Sequence, residues 1–269
     1  HWELDFATVF GRGGFDLQLG NPPWVRPRSD VEALLAEGDP WWQLAHKPSE
    51  AEKAAMRPAA LGIAGVRELV IDGSADTAVM AEVLSSPDMY PLLAGQPDFY
   101  RAFMTQVWCH SSEGGVSALI HPESHFTDDK AHRLRAAAYR RLRRHWQFIN
   151  ELRLFDIHNL VTYGVHVYRA PGPVDFLHAT NLYHPETVLR SLLHDGSGPQ
   201  PGHKHEGHWD IRPHRARIQR VDTDVLQVWS QVLDAEAAES TGMVYTVNES
   251  AARALEILSG SNRISSLSL

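Results

Sequence analysis

Asn21-Pro22-Pro23-Trp24 is the stretch whose residue types and spacing are best suited to chemistry. An amino group conjugated to an aromatic ring is a poor nucleophile, because its lone pair is delocalised into the ring. Two carbonyl oxygens held in place can accept its two N–H hydrogens and return electron density to nitrogen, towards in-line attack on an electrophilic methyl group. The Asn21 side chain and the Pro22 carbonyl would be those acceptors. The two prolines stiffen the loop, so positioning and electrostatics lower the barrier without a strong acid or base. Trp24 adds a flat apolar face for a nucleobase taken out of its stack, and such stacking is worth roughly 1–3 kcal/mol per base. The alternative is an ordinary turn followed by a core tryptophan, and the tetrapeptide alone does not decide between them.

The elements around this loop set its geometry. Phe15–Gly20 alternates apolar and polar residues and ends in glycine, as a strand entering a turn does. The two prolines keep the following residues extended. Helices are expected near Val31–Ala36, Glu50–Met56 and Ala75–Leu84. Asp98 caps a further helix on which Phe99, Phe103 and Val107 recur at helical spacing. Val116–Ile120 reads as a buried strand after Gly114-Gly115. A helix is predicted from Asp128 to Trp146, with Leu134, Ala138 and Leu142 as its apolar stripe and Arg133, Arg140 and Arg144 on another face. Phe148–Phe155 and Tyr163–Tyr168 read as an antiparallel pair, with strand centres near Leu152 and Val167. Leu177–Gly207 reads as loose chain, Val225–Glu236 and Ser250–Leu258 as helices, and the Ser-rich tail after Gly260 as mobile. This order of elements implies an α/β fold with a mostly parallel sheet and an antiparallel edge strand.

Composition bounds the remaining possibilities. The chain has 269 residues, 43% hydrophobic and 22% charged, an ordinary balance for a globular protein. No apolar run is long enough to span a bilayer, and a cytoplasmic location without membrane association is expected. The single cysteine, Cys109, has no internal partner and is expected to pack as a small apolar residue. A formal net charge of -8 means that any nucleic-acid contact must come from a local basic surface.

Five segments in order and spacing resemble the adenine-N6 DNA methyltransferases of restriction-modification and phage-defence systems. They are His1–Phe6 with Gly14-Phe15-Asp16 and Gly20–Trp24; Asp98–Phe103; Gly114–Ile120 with Pro122, Ser124 and Phe126; Leu134-Arg135; and Tyr163–Tyr168. The resemblance covers roughly residues 1–168. It implies the second half of a Rossmann-like S-adenosylmethionine-dependent methyltransferase core over residues 1–180. A linker and the start of an α-rich target-recognition region would follow over 181–269. It further implies methylation of adenine N6 in double-stranded DNA after base flipping, with Asn21, Pro22, Pro23 and Trp24 catalytic and Tyr163 as a second stacking face for the base. Arg26 and Arg28, which flank the loop, would contact the DNA backbone.

The sequence departs from this pattern in two ways. His121 and Glu123 are polar where the family's turn is usually less so. The family's glycine-bearing cofactor loop and its acidic partner are absent. Gly11-x-Gly13-Gly14 does not replace them, because it precedes the strand and opens no helix. The chain opens at His1, inside what reads as structure. It is therefore expected to be a fragment whose cofactor motif lies on an upstream segment or subunit, with an unpaired sheet edge along Phe15–Gly20.

His203, His205 and His208 read as a solvated loop, and no metal site is expected. The arginines between Arg133 and Arg144 read as a solvated helix face. Two other functions remain open: a methyltransferase acting on protein or RNA through the same loop, and a non-catalytic DNA-binding or interaction remnant of a split gene.

Overall fold

The computed structural model describes residues 1–95 and 98–261. Two compact units divide the chain. One comprises His1–Trp24 and Tyr100–Leu269, and the other Val25–Phe99. The expected mobile tail lies, from residue 262 onward, outside the described residues.

The first unit is an α/β structure built on a six-stranded mixed sheet. Its strands are β1 (Phe15–Gly20), β2 (Ser111–Pro122), β3 (Leu142–Ile149), β4 (Thr162–Tyr168), β5 (Asp175–Leu182) and β8 (Gln219–Asp222), arranged β1-β2-β4-β3-β5-β8. β1 runs parallel to β2, and β3 parallel to β5, while β4 and β8 are reversed against their neighbours. A small hairpin, β6 (Lys204–His205) with β7 (His208–Trp209), stands apart from this sheet.

Short helices α1 (Trp2–Asp5) and α2 (Ala7–Phe10) precede β1. The sheet is flanked by α7 (Phe99–His110), α8 (His132–Tyr139), α9 (Pro185–Leu192), α10 (Thr223–Leu233) and α11 (Glu249–Ser259). Tyr100 and Met104 of α7, Ala138 and Tyr139 of α8, and Leu226 and Trp229 of α10 pack on one sheet face with Leu119, Tyr168 and Phe176. Trp146, Phe148, Tyr163, Ala179 and Leu182 form the core of the opposite face, under Val188 of α9. The strands alternate between these cores because successive side chains point to opposite sides of a sheet.

The second unit holds α3 (Val31–Ala36), α4 (Trp41–Leu44), α5 (Glu50–Leu61) and α6 (Val66–Ser85) around Leu35, Trp42, Ala60 and Val66. Asp30 caps α3, and Ser49 with Glu52 forms a reciprocal capping box on α5.

Several expectations are corrected. The helix predicted to reach Trp146 stops at Tyr139, and the strand placed near Leu152 is β3, which ends at Ile149. Leu142 does extend the helical spacing of Leu134 and Ala138. It is buried instead as the first residue of a strand whose His145–Phe148 are enclosed on both faces. The first antiparallel strand, β4, lies inside the sheet, and β8 forms the reversed edge. Leu177–Gly207 is loose only in part: β5 runs to Leu182 and α9 follows it, while residues 193–203 hold no helix or strand. β5 and β8 extend the sheet, so Tyr100–Leu269 stays in one unit and the chain does not part near residue 180. Cys109 is exposed.

Arg135 is buried rather than solvated and donates to the carbonyls of Ser240, His125 and Asp128. Arg141 donates to the Ala137 carbonyl and lies 4.8 Å above the Trp108 ring.

Asp210 ties the segment before β8 together. Its wholly buried carboxylate accepts from Arg212 at 2.7 and 2.9 Å and from the Gly202 amide at 3.0 Å, while Arg217 donates to its backbone carbonyl. Burial opposes ionisation, but the Arg212 guanidinium and the Arg212 and Gly202 amides outweigh it and bring the carboxyl down to about 2. A depressed carboxylate stabilises the fold above its unfolded value of about 3.9 and loses that contribution as pH falls through the folded value. Asp210→Asn is therefore expected to lower stability at neutral pH by about 2 kcal/mol. It should also flatten the loss of stability between about pH 4 and pH 2 in urea unfolding. An unchanged acid limb would contradict this assignment.

Candidate functional site

β1 delivers the Asn-Pro-Pro-Trp loop at its carboxyl end. Gln18 fixes the strand by donating to the Val107 carbonyl at 2.9 Å and to Ser111 Oγ at 2.8 Å. Residues 21–30 then run without regular structure, as two prolines in succession dictate. Asn21 is exposed, with no hydrogen-bond partner among the described residues, whereas Pro22 is buried. Trp24 is half-buried, and its indole N–H donates to the Ile120 carbonyl of β2 at 3.2 Å.

Tyr163, near the start of β4, lies against Trp24, and the two rings are in contact. Their centroids are 5.8 Å apart and their planes differ by 30°. Phe155 packs on both rings, and Phe148 stacks behind Tyr163. Tyr163 is 3% exposed, so it backs the tryptophan rather than standing across a gap from it. Arg26 and Arg28 belong to the other compact unit. Arg26 is held by Asp98 at 2.7 Å, and Arg28 is exposed.

A second constellation lies on the opposite face of the same sheet. The strand registers align His166 of β4 with His145 of β3, and His145 with His178 of β5. His121 and Glu123 lie at the end of β2 and just beyond it and close over this row. All these side chains are buried. Glu123 Oε2 lies 2.8 Å from His145 Nε2 and accepts from the Tyr245 hydroxyl at 3.1 Å. Glu123 Oε1 is 2.9 Å from His166 Nε2, but the N–H direction misses the oxygen, so the two atoms are in contact without a hydrogen bond.

His145 Nδ1 meets His178 Nδ1 at 2.9 Å, and His178 Nε2 faces the Val244 carbonyl at 3.3 Å. The His121 ring stacks on that of His166 with centroids 3.7 Å apart. Burial opposes ionisation of Glu123, but the His145 and His166 rings outweigh it and hold the carboxyl well below its usual range. Burial, reinforced by His145, pushes His178 down to about 3, and burial with the Glu123 charge keeps Tyr245 a phenol.

The histidines closest together in sequence lie elsewhere. His203, His205 and His208 are exposed on or beside the β6–β7 hairpin, which turns through left-handed Glu206 and Gly207. The buried row has no sequence spacing of its own, because strand register assembles it. Its sequence signal is the polar pair His121, near the end of β2, and Glu123, just after it.

No family model and no curated protein matches this chain. Among the described residues, no helix is long and apolar enough to cross a membrane.

Gly164 lies directly beneath the buried row. A Cβ there would overlap Glu123 Oε1 and the His166 ring. Gly164→Ala is expected to destabilise the protein by about 1–3 kcal/mol through overpacking, read as a lower urea midpoint at constant m. A neutral substitution would show that the row has room to relax.

Proposed function

We propose that this chain forms the base-facing part of an adenine-N6 DNA methyltransferase of a restriction-modification or phage-defence system. One arrangement carries the reading: a strand ends in Asn-Pro-Pro-Trp, with Trp24 held by the Ile120 carbonyl of the adjacent parallel strand and stacked on Tyr163. This lies beyond the carboxyl end of a strand, where α/β sheets place their ligands. Asn21 stands exposed at its tip.

The base would lie on the face of Trp24 turned away from Tyr163. Asn21 Oδ1 would accept one amine hydrogen and the Pro22 carbonyl the other. Both acceptors favour the electron-rich amine and add stabilisation as charge develops on nitrogen. Tyr163, Phe155 and the indole hydrogen bond hold Trp24 still, so less order has to be created when the base arrives. Arg28 is the freer of the two arginines for a phosphate, because Arg26 would have to exchange Asp98 for it.

The methyl donor implied by this reading is S-adenosylmethionine. Among the described residues, no strand feeds a helix through a glycine-rich turn, so they do not fit that donor, and no step here runs through it. The reading therefore assigns donor binding to an upstream segment or partner polypeptide.

The test uses the full-length protein containing this chain, duplex DNA and methyl-labelled S-adenosylmethionine, with nucleosides analysed after digestion. Label is expected on adenine N6. Asn21→Ala should reduce incorporation by about a hundredfold or more while DNA affinity stays within about twofold. Trp24→Ala should lose activity mainly through base capture, by about tenfold or more, as stacking of roughly 1–3 kcal/mol implies. Undiminished turnover in Asn21→Ala would sink the mechanism, and label on protein or RNA would replace the substrate class.

A further inference from the structure

We infer that Glu123, His145 and His166 form a buried binding site for one divalent metal ion of the zinc type, on the sheet face opposite Trp24. The donor set is one carboxylate and two imidazole nitrogens, which suits zinc and its first-row neighbours rather than magnesium or calcium. Their ligand atoms all lie within 4.8 Å of one another, and every residue of the set is buried.

The hydrogen-bond pattern gives an independent reason. The contact chain runs from the Val244 carbonyl through His178 to His145. A carbonyl only accepts, so His178 Nε2 must carry the hydrogen and donate it. His178 Nδ1 is then an acceptor, and His145 Nδ1 must donate to it. In neutral His145 this leaves Nε2 as a lone pair directed at the Glu123 carboxylate. Two like-charged lone pairs at 2.8 Å require a cation between or beside them. A proton on His145 Nε2 would serve that arm of the cluster.

A proton does not serve the other arm. His166 Nε2 and Glu123 Oε1 approach to 2.9 Å off-line, and both are without a hydrogen bond in a region closed to solvent. A metal ion bound by both imidazoles and the carboxylate satisfies both arms together. The surrounding contacts resemble the support that metal ligands require. His178 fixes the His145 tautomer, Tyr245 donates to Glu123, and the His121 ring lies flat on His166. Gly164 adds no side chain where a Cβ would strike both Glu123 and His166. The enclosed position means that the ion would enter as the chain folds and leave slowly.

The test refolds the whole chain from denaturant with and without Zn²⁺, passes it through gel filtration in metal-free buffer, and measures zinc per chain by mass spectrometry. About one equivalent should be retained, and melting should rise by roughly 5 °C or more over the metal-free protein. Co²⁺ in place of Zn²⁺ should give visible ligand-field bands characteristic of few-coordinate nitrogen and oxygen ligation. The exposed hairpin is the competing site, so the double variant His205→Ala/His208→Ala must keep its equivalent of zinc and its cobalt bands. His166→Asn should lose most of the retained metal. If that variant fails to fold, the cobalt spectrum and melting shift of the hairpin variant decide alone. Retention below about a tenth of an equivalent with equal melting temperatures would overturn the site and leave a proton as the cation. Zinc lost with the hairpin histidines would do the same.

Discussion

Glu123 carries a charge that has no route to water, and much of the first unit is arranged around matching it. Desolvating a carboxylate is tolerated only when opposite charge and hydrogen bonds replace the lost solvent. The groups that close around it come from distant parts of the chain: His145 on β3, His166 on β4, and Tyr245, whose hydroxyl donates to it, from the segment between α10 and α11. Each must arrive in register. A slip of one residue would turn the histidine of β3 or β4 to the face that holds Tyr163 and Trp146, and bring Arg144 or Trp146 (β3) or a valine (β4) towards the carboxylate. The buried charge thus specifies the pairing of the central strands more strictly than apolar packing would, since apolar side chains tolerate exchange of one for another.

The same strands serve two different environments. On one face, Ile120 and Tyr163 hold the loop that carries Asn21 and Trp24. On the other, His121 and His166 belong to the polar row. Ile120 and His121 are adjacent in sequence, so the indole contact and the row share two successive residues of β2 and its rigid backbone. Displacement of that strand end would be felt on both faces, because closely packed interiors transmit strain.

How much of this could be read from the sequence follows from where each signal resides. β1, α7, β2 and β4 were legible because each carries a clean period and a glycine, proline or acidic residue at its boundary. The loop at Asn21–Trp24 was legible as a local motif. β3 was hidden because Leu134, Ala138 and Leu142 continue one helical spacing, as do Arg140 and Arg144 on another face. β5 was hidden because residues buried on both faces, such as Phe176, His178, Ala179 and Thr180, erase the alternation that marks a half-exposed strand. Arg135 read as a solvated charge because its acceptors are backbone carbonyls, which leave no mark in a sequence. The histidine row is a property of pairing, and only His121 and Glu123 betrayed it.

The second compact unit leaves the chain directly after Trp24 and returns at Phe99, whose amide donates to the Val25 carbonyl at 2.9 Å. Its two ends are thus clasped by this backbone hydrogen bond and by the adjacent Arg26–Asp98 ion pair, as at the neck of a hairpin. Closing a loop adds only slowly to the entropic penalty as the loop lengthens, and here the closure is already made at the neck. Whatever hangs below that clasp can be lengthened or shortened while the strands on either side keep their pairing. The sheet is therefore insulated from changes in length between Val25 and Phe99, because the intervening chain closes on itself before the sheet resumes.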